Sequence, residues 1–466
     1  MGDRQQLIHQ VSPLETMVES HINTLIVGGG IVGAGVLRDL SLHGVDCLLV
    51  DKKDFSSQTS QSSSKMLHGG IRYLENFDFN LVYEALHEKN LWLKLAPHLV
   101  KENRFYLPVF KDSLRPMWMV RVGIFLYDLL SNFQNATRGS ATKTETIACI
   151  PHIRKENLKG SGIYSDAIVD DGKLTLEVIM DSLENKNAKA ISYVSANSIV
   201  KSKSGKYTCT LLDELTGIEK VVTCDNLIIA TGPFTDQFMK NIPEVKWTDK
   251  LLPSKGSHLW IAKADLNLPN PVVLTPKDGR VIFVIPHDDR VLIGTTEEKV
   301  EENFFDVTPS KDEIKYLIHN LNEFFPTANI DESKIQSSFA GIRPLVKEDD
   351  GANLGKTARE HKVFQPMKGL YVIVGGKLTT FRTMSQEITS LIVRSHNRAY
   401  NPDKTKRPLR VRCQYNFFHK PDLSSEIINK IIHRELPRTY DDIRKRRALA
   451  QNTDQKIEEY LYKHTI

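Results

Sequence analysis

Thr24 to Asp51 reads TLIVGGGIVGAGVLRDLSLHGVDCLLVD. The short β-branched run Thr24–Val27 gives way to Gly28–Gly35 (GGGIVGAG), then Leu37, Leu40 and Leu42 recur at helical spacing until Gly44 stops the helix. Cys47–Val50 (CLLV) supplies the next strand, so a strand–helix–strand unit closes within one short stretch. Gly28, Gly30 and Gly33 form G-x-G-x-x-G between strand and helix. The first permits a tight turn, the second lets a pyrophosphate approach the backbone, and the third lets the helix pack on the sheet. Asp51 ends the second strand 18 residues after Gly33 (51 − 33 = 18), where an acid accepts hydrogen bonds from ribose hydroxyls. Taken together these predict an α/β fold with a Rossmann-type dinucleotide-binding unit.

Outward from this unit, Phe79–Leu95 carries apolar residues at helical spacing, which predicts an amphipathic helix. Residues 160–222 alternate short strands with one helix near Leu174–Asn185, and Asn226–Gly232 (NLIIATG) reads as a buried strand ending in a small-residue turn. Leu251–Thr296 is β-rich, with strands such as Val281–Ile285 and Arg290–Ile293 between Pro and Asp turns; it predicts an antiparallel sheet inserted into the nucleotide domain. Tyr371–Val374 (YVIV), Gly375–Gly376 and a helix from about Phe381 return to the opening grammar. The expected division is an N-terminal extension (1–20), an oxidoreductase core (21–400) whose nucleotide parts (21–150, 160–250, 340–400) interleave with a substrate sheet (250–340), and a short C-terminal helical tail (401–466) after the linker Pro402–Pro408.

At 466 residues the chain is long for one core, and a net charge of +5 requires no nucleic-acid partner. Five widely spaced cysteines without C-x-x-C match a reduced, cytoplasmic setting, offer no metal-ligand pattern, and leave no metal to be expected. No apolar run is long enough to span a bilayer, and the N-terminus lacks a secretory pattern. The nearest is Met117–Leu130 (MWMVRVGIFLYDLL), read first as a buried helix and second as a segment lying on a membrane face.

Gly375–Thr380 (GGKLTT) places a second glycine pair before a helix, which suits FAD along its ribityl chain and ring better than a nicotinamide dinucleotide. Thr59–Glu75 (TSQSSSKMLHGGIRYLE), Asp170–Asp171, Ala230–Pro233 (ATGP), Lys255–His258 (KGSH), Ile293–Thr296 (IGTT), Gly341–Leu345 (GIRPL) and Gly375–Arg382 (GGKLTTFR) occur in that order. This set resembles the FAD-dependent, aerobic-type glycerol-3-phosphate dehydrogenase family, within the glycine and D-amino-acid oxidase-like flavoproteins. The resemblance covers Thr24 to Arg382, and the SSK-x-x-HGG-x-RYLE and GGKLTTFR stretches are its most specific parts.

The resemblance implies oxidation of sn-glycerol 3-phosphate to dihydroxyacetone phosphate by hydride transfer from C2 to flavin N5, with electrons passed to a quinone. The expected cofactor contacts are Gly28, Gly30, Gly33, Asp51, Thr59, Ser60, Ser64, Lys65, His68, Gly69, Gly70, Gly232, Gly376, Lys377, Leu378 and Thr379. A phosphate dianion needs fixed cations, which Arg72, Arg343 and Lys377 supply from the motifs. Arg343 is the expected chief clamp, Arg359 a second candidate that reads equally as a surface ion-pair residue, and Tyr73 and Thr379 complete the substrate pocket. His258 is the expected acceptor of the C2 hydroxyl proton, since imidazole titrates near neutrality; a lone histidine is otherwise usually structural. Lys377 and Arg343 share the catalytic assignment. The chain departs from the family at Lys173, where an Arg is usual, and in the region from His433 to Arg447, which resembles the start of a longer helical cap.

A quinone acceptor implies peripheral attachment to an anionic membrane surface, the cytoplasmic membrane's inner face, through Met117–Leu130 with Arg115 and Arg121 and the Asp441–Arg447 stretch; a homodimer is also open. Competing readings are a glycerol-3-phosphate oxidase using O2, an amino-acid or hydroxy-acid oxidase of the same fold, and a flavin-binding scaffold without activity.

Overall fold

The computed structural model describes residues 12–300, 304–347, 361–413 and 425–447. Two sheets organise them. In the first, Ala188–Ser192, Cys47–Asp51, His21–Val27, Glu219–Ile229 and Leu370–Gly375 lie side by side and parallel, with His361–Met367 added antiparallel at the edge. Residues 24–27 and 47–50 are buried without alternation, because both faces of the sheet are covered. On one face Ile31–Leu42 packs with Asp171–Leu183 and Phe381–Ser395 around Leu37, Leu40, Ile179, Phe381 and Ile388. On the other, Val194–Lys201 and Tyr207–Asp213 form an antiparallel meander that runs into Glu219–Ile229, burying Leu25, Leu48, Leu211 and Leu227.

The second sheet is mostly antiparallel. Leu251–Ala262 pairs along its length with Ile335–Val346 and on its other side with Arg290–Gly294, followed by Ile282–Pro286 and Val272–Leu274. The sheet extends further than residues 250–340. Val100–Phe110, Leu158–Val169, Met66–Leu67 and Arg138–Thr142 all belong to it, although their positions suggested the nucleotide domain. Val100 pairs with Val169 and Phe110 with Leu158, a long-range register that local periodicity does not reveal. The chain therefore crosses between the sheets several times, by way of the polar stretch 56–65, helix Asp171–Leu183 and the segment between Glu219–Ile229 and Leu251–Ala262.

Met117–Leu130 is a helix, but it is not buried all round. Val120, Ile124 and Tyr127 pack onto Leu158–Val169, where a Cβ on Gly162 would lie 2.5 Å from Val120 and 2.6 Å from Ile124. The opposite face leaves Trp118 68% exposed and Phe125 54% exposed, with Val122 and Leu129 also open to solvent. No helix among the described residues is long and apolar enough to cross a membrane. The Pro402–Lys406 turn, expected as a linker, is held in place: the Arg38 guanidinium donates to the carbonyls of Thr405 (3.0 Å) and Arg407 (2.9 Å), and Arg382 to Thr405 Oγ1 (2.8 Å). Helices Ser425–Arg434 and Tyr440–Arg447 follow, and between them Arg438 makes a buried, two-pronged contact with Asp213 (2.9 and 3.2 Å).

Candidate active site

A cavity of about 490 Å³ runs between the sheets from Asp51 to Gly376. Its floor is the turn Gly28–Gly30 at the start of helix Ile31–Leu42, and no side chain caps that helix at Gly30. The glycines are dictated by space. A Cβ on Gly33 would sit 1.9 Å from the Gly28 carbonyl oxygen, and one on Gly30 would project to 2.9 Å from Ser60 Oγ. Gly28 itself has φ +112°, a conformation L side chains rarely adopt. Gly33 is thus a packing residue below the cavity, while Gly28 and Gly30 line it.

Asp51 lies at the cavity's far end, accepting from the backbone N–H of Gly29 (2.6 Å) and of Lys53 (2.8 Å). Burial pushes its carboxyl up to about 6 despite those two bonds. Thr59 Oγ1 donates to the Ile342 carbonyl (2.8 Å), and Ser60 Oγ accepts from Ile31 N–H (2.8 Å). Both line the cavity, as do Ser64, His68, Gly232, Gly376, Lys377, Leu378 and Thr379. Ser195, Asn197 and Phe305 line it too, and no motif singled them out.

Lys65 has a different role from the one expected. Its ammonium donates to Asp171 (2.6 Å) and the Gln61 carbonyl (2.6 Å), and it lines neither cavity. Asp171, fully buried, also accepts from Ser63 Oγ (2.6 Å), so the pair fixes the polar loop that faces the cofactor. Gly69 likewise supports from behind: a Cβ there would meet Leu86 and the Tyr127 hydroxyl, and its N–H donates to Tyr127 Oη (2.8 Å).

A second cavity of about 470 Å³ opens on the other side of His68. It shares Ser64, His68 and Arg343 with the first and adds Gly70, Arg72 and Tyr73, so the two cavities join at those three shared residues. Lys377 Nζ lies 3.9 Å from the Tyr73 ring centroid, joining the two predicted pocket residues. Thr379 Oγ1 accepts from His68 N–H (3.1 Å), tying the two glycine-containing motifs together. Arg343 Nη2 reaches Thr295 Oγ1 (2.8 Å), and the space it occupies is why Gly256 is glycine: a Cβ there would sit 2.2 Å from the guanidinium. Arg359 lies outside the described residues.

His258 is 2% exposed, stacked on Phe339 with ring centroids 4.8 Å apart, and its Nε2 is hydrogen-bonded to Ser64 Oγ (2.9 Å). Burial first, then the charges of Arg343 and Lys65, hold its imidazole well below the usual range. It is neutral at pH 7, with a lone pair available.

The cradle fits an extended dinucleotide: glycines at the turn, a carboxylate at the second strand's end, and a second glycine turn, Gly375–Gly376, at the opposite end. A family model described as FAD dependent oxidoreductase matches residues 23–389. An aerobic glycerol-3-phosphate dehydrogenase from Staphylococcus aureus strain MRSA252 is 32% identical over 379 residues, 81% of this chain and 68% of that protein. The structure of a glycerol-3-phosphate dehydrogenase from Bacillus halodurans complexed with FAD superposes with a TM-score of 0.69 at 27% identity, covering 84% of this chain and 69% of that one. A glycerophosphate oxidase from Mycoplasma pneumoniae, at 19% identity and a TM-score of 0.63 over 84% of this chain and 98% of that one, shares the fold. With the motifs, the cradle and these matches in agreement, the chain belongs to the FAD-dependent oxidoreductases and, among them, to the glycerol-3-phosphate dehydrogenase family.

Proposed function

We propose that the chain oxidises sn-glycerol 3-phosphate to dihydroxyacetone phosphate and passes the electrons to a quinone. The observation that carries this reading is Arg343 at the junction of the two cavities, with Arg72 lining the second and Lys377 the first, beside a cradle suited to FAD. An amino-acid or hydroxy-acid substrate has a single carboxylate to bind, whereas a phosphate dianion draws on several cations. Arg343 holds the phosphate, and Arg72 and Lys377 add to its field. His258, neutral before substrate arrives, accepts the C2 hydroxyl proton. The incoming dianion offsets the Arg343 charge that depresses the imidazole. When bound, FAD supplies the acceptor for the hydride leaving C2.

The acceptor reading rests on the second cavity's wall. Met119, Val122 and Leu126 of helix Met117–Leu130 line it, so an apolar acceptor reaching the cavity passes the helix whose outer face is exposed and apolar. That face suits peripheral attachment to a bilayer. Arg115 contributes less charge to it than its position suggested, because its guanidinium grips Glu75 (Nη2 to Oε2, 2.7 Å). The side chains of 444–447 lie outside the described residues.

The direct test is anaerobic addition of glycerol 3-phosphate, glycerol and lactate to purified protein. Only the first is expected to bleach the flavin, and Arg343→Ala is expected to raise KM by roughly ten- to a hundredfold, the equivalent of one charge-assisted hydrogen bond, while FAD content is unchanged. Bleaching by lactate alone would replace this reading. Peroxide formation matched to turnover, without dependence on a quinone, would make the acceptor O2.

A further inference from the structure

Arg343 needs something to aim it. Its Nη2 donates to Thr295 Oγ1 (2.8 Å) and to the Thr296 carbonyl (3.3 Å), so the two threonines after strand Arg290–Gly294 set the guanidinium's direction. Thr296 is 2% exposed and is held from two sides: Oγ1 accepts from Ser257 N–H (2.9 Å) and donates to Glu313 Oε1 (2.5 Å). Glu313 comes from helix Lys311–Phe324, which packs on strand Leu251–Ala262 through Leu317 and Leu321, and it is also the acid of that helix's capping box. Its Oε2 accepts from Ser310 N–H (2.8 Å), and Ser310 Oγ accepts from Glu313 N–H (3.2 Å).

The two oxygens therefore do separate jobs. Lys255 closes the arrangement by pairing with Glu313 (2.9 Å) and Glu298 (3.1 Å). Burial raises the Glu313 carboxyl, but hydrogen bonds from Thr296, Lys255 and Ser310 outweigh it and keep it below the usual carboxylate range. A cap alone needs none of this, since exposed carboxylates make capping boxes; Glu145 does so on Thr142 with no burial.

We propose that Glu313 is a positioning residue for substrate binding: through Thr296 it fixes the Thr295–Thr296 pair that orients Arg343 toward the phosphate. The proposal rests on the reading of Arg343 as the phosphate clamp. It assigns a role to a carboxylate remote in sequence from every motif at the site, and it explains why Lys255 and Thr296 stand where they do in KGSH and IGTT. Thr296→Val keeps the shape but removes the link to Oε1; Glu313→Gln keeps an acceptor but weakens the charge-assisted bond; Ser310→Ala removes the Oγ half of the capping box and leaves Oε1 on Thr296.

The experiment measures KM and kcat for glycerol 3-phosphate, competitive inhibition by inorganic phosphate, flavin content and Tm in the holoenzyme. Thr296→Val and Glu313→Gln are expected to raise KM, and the inhibition constant of inorganic phosphate, roughly five- to tenfold, the value of one lost hydrogen bond, with kcat changed much less and FAD retained. Ser310→Ala is expected to lower Tm without moving KM. Should Glu313→Gln fail to fold, Thr296→Val carries the test alone. If Arg343→Ala leaves KM unchanged, the clamp reading falls and this proposal with it. If Arg343→Ala raises KM while Thr296→Val leaves it unchanged, positioning through Glu313 is overturned and the clamp stands. An equal KM rise in Ser310→Ala would assign the effect to the helix cap and overturn the proposal.

Discussion

Asp51 shows how a single side chain couples the cradle to pH. Its half-buried side chain accepts two backbone N–H groups, yet desolvation pushes the carboxyl up to about 6, well above an ordinary aspartate. A ribose hydroxyl donates best to the ionised form, so the affinity for FAD is expected to be full above that value and to fall as pH drops through about 6. One charge-assisted bond contributes about 1.5 to 3 kcal/mol, or roughly ten- to a hundredfold in affinity. Gel filtration at pH 5 and pH 7.5, followed by measurement of retained flavin, checks this; Asp51→Asn should hold flavin weakly at both. Equal retention by wild type at the two pH values would remove Asp51 from ribose recognition. That Asp51, Gly30, Arg343 and Lys377 line the first cavity was legible, the first two from the spacing of the glycine turn and the second strand, the other two from motifs that resemble the family's. Asp171, named in a motif but without a role, and Glu313, in none, were not. Their partners, Lys65 and Thr296, lie 106 and 17 residues away, and only the fold brings them together.

At the scale of elements, period was read well and partners were not. Phe79–Leu95 was fixed to the residue by apolar spacing, and the unit 21–51 followed from its glycines. Membership of Val100–Phe110 and Leu158–Val169 in the second sheet was invisible, because an antiparallel register across half a domain leaves no local trace. Helix Met117–Leu130 was ambiguous for a physical reason: it is apolar on both faces, one packed on the sheet and one open. If the open face docks on lipid, replacing Trp118 and Phe125 together by Ser removes two side chains that each contribute about 1.5 to 3 kcal/mol when buried in an apolar phase. Co-sedimentation with anionic vesicles is expected to drop by roughly a hundredfold in partition coefficient on that basis. Turnover with a water-soluble dye should persist, since neither residue lines either cavity. Unchanged co-sedimentation would place the membrane contact elsewhere.

At the scale of the whole molecule, Asp166 lies in a buried polar cluster where helices Phe79–Leu95 and Met117–Leu130 pack on the second sheet. It sits on the second sheet with its carboxyl group buried, accepting from Tyr127 Oη (2.7 Å), which in turn accepts from Gly69 N–H in the loop after strand Met66–Leu67. Lys89 approaches from helix Phe79–Leu95, Glu102 from strand Val100–Phe110, Asp128 from helix Met117–Leu130, and Tyr164 from its own strand. Burial pushes the Asp166 carboxyl up to about 7, only partly opposed by Lys89 and the two hydrogen bonds. The sign follows from proton linkage. Between about 4 and about 7 the folded protein holds a proton at this site that the unfolded chain has released, so raising pH through that window favours unfolding. The contribution is unfavourable throughout pH above 7 and absent at pH below 4. Asp166→Asn removes the titration while keeping the size of the side chain, at a cost in hydrogen bonding that does not change with pH. The readout is therefore the difference in Tm between wild type and Asp166→Asn, measured at pH 5 and pH 8. Wild type is expected to lose its advantage, or part of it, on going from pH 5 to pH 8. A difference that stays constant, or grows in favour of wild type as pH rises, would mean that Lys89 and Tyr127 hold this carboxylate ionised across the range, and that the cluster is an ordinary buried ion pair.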